Sequence, residues 1–266
     1  MGGILLKGEK KVQTELEDYA FAGREDLTEI EIPSGIRKVG RYAFYNCRNL
    51  KKVYFCSDIR DLGAGVFTGC RKINCLEVTV VDNDLSILRE ILMELNQQLL
   101  VICRGAVEAR LWFPEYFEEG VENTPARILE DHVHGSGLMY RNCLVKTGMN
   151  YEEYDGRFLY ACASESEDLV VRLAFDRICY PQGLTKESAE RYCAYLRKHL
   201  PCLYRYLAEE KDVRQIQKYL ETFAPGREEV QTVMEVMQKG GFPESVPYLM
   251  DYHHKHFAGK RHTFSL

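Results

Sequence analysis

The chain has 266 residues, 45% hydrophobic and 28% charged, which excludes a largely disordered protein and leaves room for two domains. Lys plus Arg number 35 against 40 Asp plus Glu, a net charge of −5 that argues against a globally basic nucleic-acid binder. No apolar run reaches the roughly 18 residues of a membrane span, and the apolar stretch at Ile4–Leu6 is too short for a secretory signal, so the expectation is a cytoplasmic protein without membrane contact.

Residues 1–15 read as an N-terminal cap segment, and residues 16–80 carry an internal repeat. Leu16, Tyr19, Ala20 and Phe21 recur 23 positions on as Val39, Tyr42, Ala43 and Phe44, and the third copy runs Leu62, Gly65, Val66 and Phe67. The same offset relates Leu27, Leu50 and Ile73; Ile30, Val53 and Leu76; Ile32, Phe55 and Val78; and Cys47 and Cys70. Leu50, Val53 and Phe55 end in the alternation of a strand with one buried face. One such unit cannot bury its apolar residues alone, whereas stacked copies share a continuous core. The spacing therefore predicts a solenoid in which Leu27–Ile32, Leu50–Phe55 and Ile73–Val78 are neighbouring parallel strands.

At Val39, Gly40, Ala43, Phe44, Cys47, Leu50, Val53 and Phe55 the chain resembles the bacterial BspA-like leucine-rich repeats, and Pro33 ends the first strand as that pattern expects. Cys56 stands where the second repeat would have proline, Arg24 where the first would have cysteine, and Gly65-Val66 departs in the third turn. The resemblance implies a leucine-rich-repeat solenoid that binds a protein or peptide.

Beyond residue 80 the period fails. Asp82–Asp84 offers helix caps, and Leu85, Leu88, Leu92 and Leu95 share one helical face. Leu99–Cys103 and Ala106–Phe113 read as a strand pair around Arg104-Gly105, stopped by Pro114. Residues 81–130 are thus an α/β cap over the solenoid's open end. Glu118–Asn123 is polar, a domain boundary is placed between 120 and 150, and residues 131–266 are assigned to a helical domain. Ser166 caps a helix to Cys179; Ala189–Leu200 and Val213–Phe223 carry helical stripes; Val230–Met237, Gly240-Gly241 and Pro243 outline a helix pair faintly resembling half of an ankyrin unit. The fold class is mixed α/β, a short solenoid with a parallel sheet followed by a helical domain.

Ten cysteines without a Cys-x-x-Cys clamp read as reduced core thiols rather than zinc ligands, with Cys47 and Cys70 pointing inward. Gly63-x-Gly65-x-x-x-Gly69 is one residue too long for a dinucleotide fingerprint and lies in a repeat turn. Ser136 between Gly135 and Gly137, beside His132 and His134, has hydrolase residue types in the wrong order and reads as a loop between domains. His253, His254, His256 and His262 read as a solvated helix end and tail. Arg37, Lys38, Arg41, Arg48, Lys51 and Lys52 are a solvated turn face, and no nucleic-acid partner is expected.

No cofactor, metal or catalytic residue is assigned. The expected function is a non-catalytic protein-interaction scaffold; the alternative is a hydrolase or thiol enzyme with its site between the two halves. Strand alternation turns Lys52 and Tyr54 outward, with Glu29 and Glu31 before them and Cys75 and Glu77 after them. These six residues are the expected partner-binding face.

Overall fold

The computed structural model of the chain describes residues 14–106, 108–123, 128–145 and 148–257. All but the last two residues of the expected N-terminal cap segment lie outside them. Two compact units result, residues 1–188 and 189–266.

The repeats build two parallel ladders. Strands β1 (Glu15–Leu16), β3 (Lys38–Val39) and β5 (Asp61–Leu62) form the smaller one. The larger contains β2 (Glu29–Glu31), β4 (Lys52–Cys56) and β6 (Cys75–Thr79), paired Ile30 to Val53 to Leu76, which is the 23-residue offset read from the sequence. Ile30, Val53, Leu76 and Val78 point inward and are buried with Phe21, Phe44 and Phe67 from the turns. Those three rings stack at 5.3 and 5.4 Å, nearly parallel. The Cys47 and Cys70 thiols donate to the Phe21 and Phe44 carbonyls one repeat earlier, each at 3.0 Å.

Two glycines show why the turns can stack. A Cβ on Gly63 would lie 2.6 Å from the Gly40 carbonyl carbon, so the copies touch backbone to backbone. Gly63→Ala is therefore expected to lower the urea unfolding midpoint by an amount equivalent to about 1–3 kcal/mol. Gly65 has φ +66°, as do its repeat equivalents Tyr19 (+60°) and Tyr42 (+56°). The departure at Gly65 thus leaves the turn intact and relaxes a conformation that strains a side-chain-bearing residue.

The sequence period ends near 80, but the sheet continues for one more turn. Helix α1 (Ser86–Glu94), whose first turn is capped by the Asp84 carboxylate, replaces the repeat turn. Strand β7 (Leu99–Arg104) then pairs parallel with β6, Cys75 opposite Leu100, and β8 (Ala109–Phe113) returns antiparallel. Phe21 and Phe44 each donate a backbone N–H to the next copy's turn, at the Ala43 and Val66 carbonyls. The Phe67 N–H instead donates to the Glu94 carboxylate at 3.2 Å, so α1 closes the exposed end of the ladder.

Burial pushes the Glu94 carboxyl upward despite its backbone donors. A carboxyl whose folded pKa is raised binds more protons folded than unfolded, so its contribution declines as pH rises above the ordinary carboxylate range. Urea midpoints of the wild type and Glu94→Gln, compared at pH 4.5 and 7, are expected to shift in the variant's favour at the higher pH.

The polar stretch expected to be a domain boundary is a β-hairpin, β9 (Phe117–Asn123) with β10 (Ile128–His134). It leads into α2 (Gly137–Arg141), the short strands β11 (Leu144–Val145) and β12 (Gly148–Met149), then α3 (Tyr151–Gly156), α4 (Phe158–Ser164) and α5 (Glu167–Cys179). Ser166 caps α5 as the sequence indicated, its Oγ accepting from the Leu169 N–H.

These helices belong to the first unit because they pack on the sheet. The Tyr154 hydroxyl donates to the Trp112 carbonyl at 2.6 Å and accepts its N–H at 3.0 Å, closing the edge of β8. Asp176 of α5 accepts the Trp112 Nε1–H at 2.8 Å and pairs with Arg110 at 3.3 Å, while Arg172 lies over the Trp112 ring. The compact division accordingly falls at 188/189 rather than at the expected 130/131.

Helix α6 (Lys186–Lys198) spans that division. The second unit continues through α7 (Leu200–Glu210), α8 (Val213–Phe223), α9 (Arg227–Lys239) and α10 (Val246–Phe257). Ile216, Tyr219, Val230, Val233, Met237 and Leu249 are among its buried residues. Pro201 in the first turn starts α7, a helix not separated from its neighbour by the sequence pattern.

Candidate functional site

Side chains on the outer face of the larger sheet fall into rows across the strands. One row runs Glu29, Lys52, Cys75, Leu100 and Trp112; the next runs Glu31, Tyr54, Glu77, Ile102 and Arg110. The registry thus places Tyr54 between Glu31 and Glu77 and Lys52 between Glu29 and Cys75, as the alternation indicated. Both rows are exposed or half-buried on β2 and β4 and end buried on β8, where α5 packs. Cys75 does not reach the open surface: it is buried at 9% exposure, beside buried Leu100, which corrects its expected place on the contact face. The open part of the face is therefore the β2–β4–β6 end.

A shallow depression of about 440 Å³ occupies that end, lined by Glu31, Ser34, Tyr54, Cys56, Glu77 and Thr79 among others. The Tyr54 phenol is pushed above its ordinary value by partial burial and then by the charges of Glu29, Glu77 and Glu31, so it remains a protonated donor. Glu77 is bound by Arg104 at 2.7 Å, and Arg104 also holds Glu108 at 2.8 Å. Glu29, Glu31 and Lys52 form no ion pair among the described residues, although Glu29 and Lys52 are cross-strand neighbours.

Half of the basic turn face is neutralised in place. Arg37 pairs with Asp58, Lys38 with Asp61 at 3.5 Å and Arg41 with Asp18 at 2.7 Å, leaving Arg48, Lys51 and Lys52 as exposed cations without such a partner among the described residues.

The residues considered for catalysis have structural uses. Ser136 is fully buried, and both its N–H and its hydroxyl donate to Glu165 Oε1, at 2.8 and 2.6 Å. A Cβ on Gly135 would meet the Glu115 carbonyl at 2.5 Å, so this turn is packed against the chain after Pro114 and is not a loose connection. His134 stacks on Phe117 and lies 3.1 Å from Glu119; the His132 side chain and His262 lie outside the described residues. His253, His254 and His256 lie in the last turns of α10. Among the described residues no group of three or more His, Cys, Asp or Glu could hold a metal ion.

All ten cysteines are thiols, and seven are buried. Burial raises Cys103 to about 12 and Cys143 to about 11, away from the thiolate a nucleophile needs. Cys70 is pushed up by the neighbouring Cys47 thiol and by burial. A bulky thiol reagent is expected to label the partly exposed Cys162, Cys179 and Cys193 in the native protein, and Cys47 and Cys70 only after denaturant is added. Rapid native labelling of Cys47 or Cys70, read by peptide mass mapping, would contradict their place in the core.

Parallel strands with turns repeating every 23 residues, closed at one end by a helix and a strand pair, make the repeat region a leucine-rich-repeat solenoid. Residues 11–91 match the family whose description reads BspA type leucine rich repeat region (6 copies). The match covers under a third of the chain, reaches through most of α1 and excludes the helical region. Comparison with curated proteins and with solved structures yields no match. No helix among the described residues is long and apolar enough to cross a membrane.

Proposed function

We propose that the chain is a non-catalytic interaction scaffold that binds a protein or peptide through the open β2–β4–β6 end of its outer sheet face, with Tyr54 at the centre and Glu29, Glu31, Lys52 and Glu77 around it. The observation that carries this reading is the contrast along one continuous face. At β8 the face is covered by the chain's own α5 through Trp112 and Arg110, whereas at β4 it holds a half-buried tyrosine in an open depression. Repeat families of this class are commonly interaction scaffolds, which supports the same assignment. A tyrosine contributes ring area and a hydroxyl at little conformational cost, the usual chemistry of a residue that dominates a contact. The raised pKa values of the buried Cys103 and Cys143 thiols, the place of Cys47 and Cys70 in the repeat core, and a serine held by Glu165 favour binding over the thiol or hydrolase alternative.

The test is affinity capture from a lysate of the source cells with the wild-type chain and with the Tyr54→Ala, Glu31→Ala double variant, followed by titration of the captured partner. The variant is expected to lose at least about tenfold in affinity, about 1.4 kcal/mol. Binding within about twofold, with the fold intact, would place the contact elsewhere.

A further inference from the structure

We propose that the partner presents an arginine- or lysine-bearing extended segment, whose cationic side chain lies over the Tyr54 ring and pairs with Glu31. This rests on the assignment of the open sheet face as the contact surface. The argument is charge complementarity at a site the chain leaves unfilled. The lining of the depression contains Glu31 and Glu77 and no Lys or Arg. Lys52 stands one row away, and Arg104 is engaged by Glu77 and Glu108, so Glu31 and Glu29 remain as unpaired carboxylates beside the ring. Among the described residues the Tyr54 ring meets no cation or other ring, and its hydroxyl makes no hydrogen bond.

The same chain shows what such a combination holds. Arg177 lies 4.9 Å above the Tyr151 ring while Asp155 grips its guanidinium with two bonds of 2.8 and 2.9 Å. Arg172 likewise lies over Trp112 and is bound by Asp168 at 2.6 Å. An aromatic ring flanked by a carboxylate is thus filled by a guanidinium at two places within the first unit. At Tyr54 the ring and the carboxylate are present and the cation is not. A guanidinium suits this geometry because it stacks on the ring and donates to the carboxylate at once. The strands of an open, regularly spaced sheet give an extended segment room to lie along the row.

The probe is a labelled, end-blocked Gly-Ser-Arg-Gly-Arg-Ser-Gly peptide titrated by fluorescence anisotropy against the full chain, alongside versions with citrulline or glutamate in place of arginine. Saturable binding of the arginine peptide below about 1 mM is expected, at least about tenfold tighter than the citrulline peptide and weakened by salt. Glu31→Gln and Tyr54→Leu should each weaken it several-fold, and Lys52→Glu should strengthen it, with unchanged Trp112 fluorescence showing that the fold is retained. No saturation by about 1 mM, equal binding of the citrulline peptide, or indifference to Glu31→Gln and Tyr54→Leu would overturn the proposal. Loss of the captured partner in the Tyr54→Ala, Glu31→Ala variant without any preference for arginine peptides would leave the contact surface standing and remove only the cationic segment.

Discussion

Replacing Arg141 by methionine is expected to lower the stability of the first unit by about 3–5 kcal/mol, the largest single effect in the chain. Arg141 is 1% exposed and pairs with no carboxylate among the described residues; its guanidinium donates to the carbonyls of Leu92, Leu95, Gln97, Pro114 and Gly137 at 2.6–3.1 Å. Leu92 and Leu95 end α1, so the cation also meets the negative end of that helix. The Tyr116 ring lies 4.9 Å from it. Burial lowers its pKa to about 10, which leaves it charged at neutral pH. Methionine fills much of the volume and removes the guanidinium donors from five carbonyls. The single tryptophan, Trp112, lies in the same unit, so its fluorescence during urea unfolding reads the loss directly. A fall below about 1 kcal/mol would mean that water replaces the guanidinium.

Asp155→Ala is expected to have the next largest effect, again about 3–5 kcal/mol, because it leaves the Arg177 cation buried without its carboxylate. Both partners are almost completely buried, and Arg177 also donates to the Tyr180 and Gln182 carbonyls. Asp155→Asn keeps an oxygen for the guanidinium and is expected to lose less. The double change Asp155→Leu, Arg177→Met removes both charges and should recover much of the stability lost by Asp155→Ala, since a missing pair leaves no uncompensated ion. If the double variant is no more stable than Asp155→Ala in the same Trp112-monitored unfolding, the penalty comes from packing and not from the stranded charge.

The repeat half of this fold is legible because its period is an alignment of the chain with itself. Leu50, Val53 and Phe55 recurring at 23 residues give strand register as well as strand existence, and the observed pairs Ile30–Val53–Leu76 follow from it. The same logic stops where the partner is not a copy. Strand β7 pairs with β6 at an offset of 25 residues, so its place in the sheet is hidden from a search for 23. The two-residue strands β1, β3 and β5 are too short for any alternation to mark them. Cys75 has an outward position by alternation and is buried nonetheless, because alternation says which face a residue is on and not what covers that face. Arg141 carried no signal at all: its partners are backbone carbonyls from three separate segments, and a carbonyl has no residue type. Of the candidate site, the row Glu31–Tyr54–Glu77 could be read from spacing, while the open depression and the pairing of Glu77 with Arg104 depend on the folded sheet.

The central claim is that the open sheet face around Tyr54 is where a protein partner docks. Photocrosslinking tests it most directly: benzoylphenylalanine is placed at position 54, and at exposed position 228 on α9 as a control, and each full-length chain is irradiated in source-cell lysate. The account predicts a discrete crosslinked protein from position 54, competed by excess unlabelled wild-type chain, and none of that species from position 228. No crosslink at 54, or the same product from both positions, would contradict it.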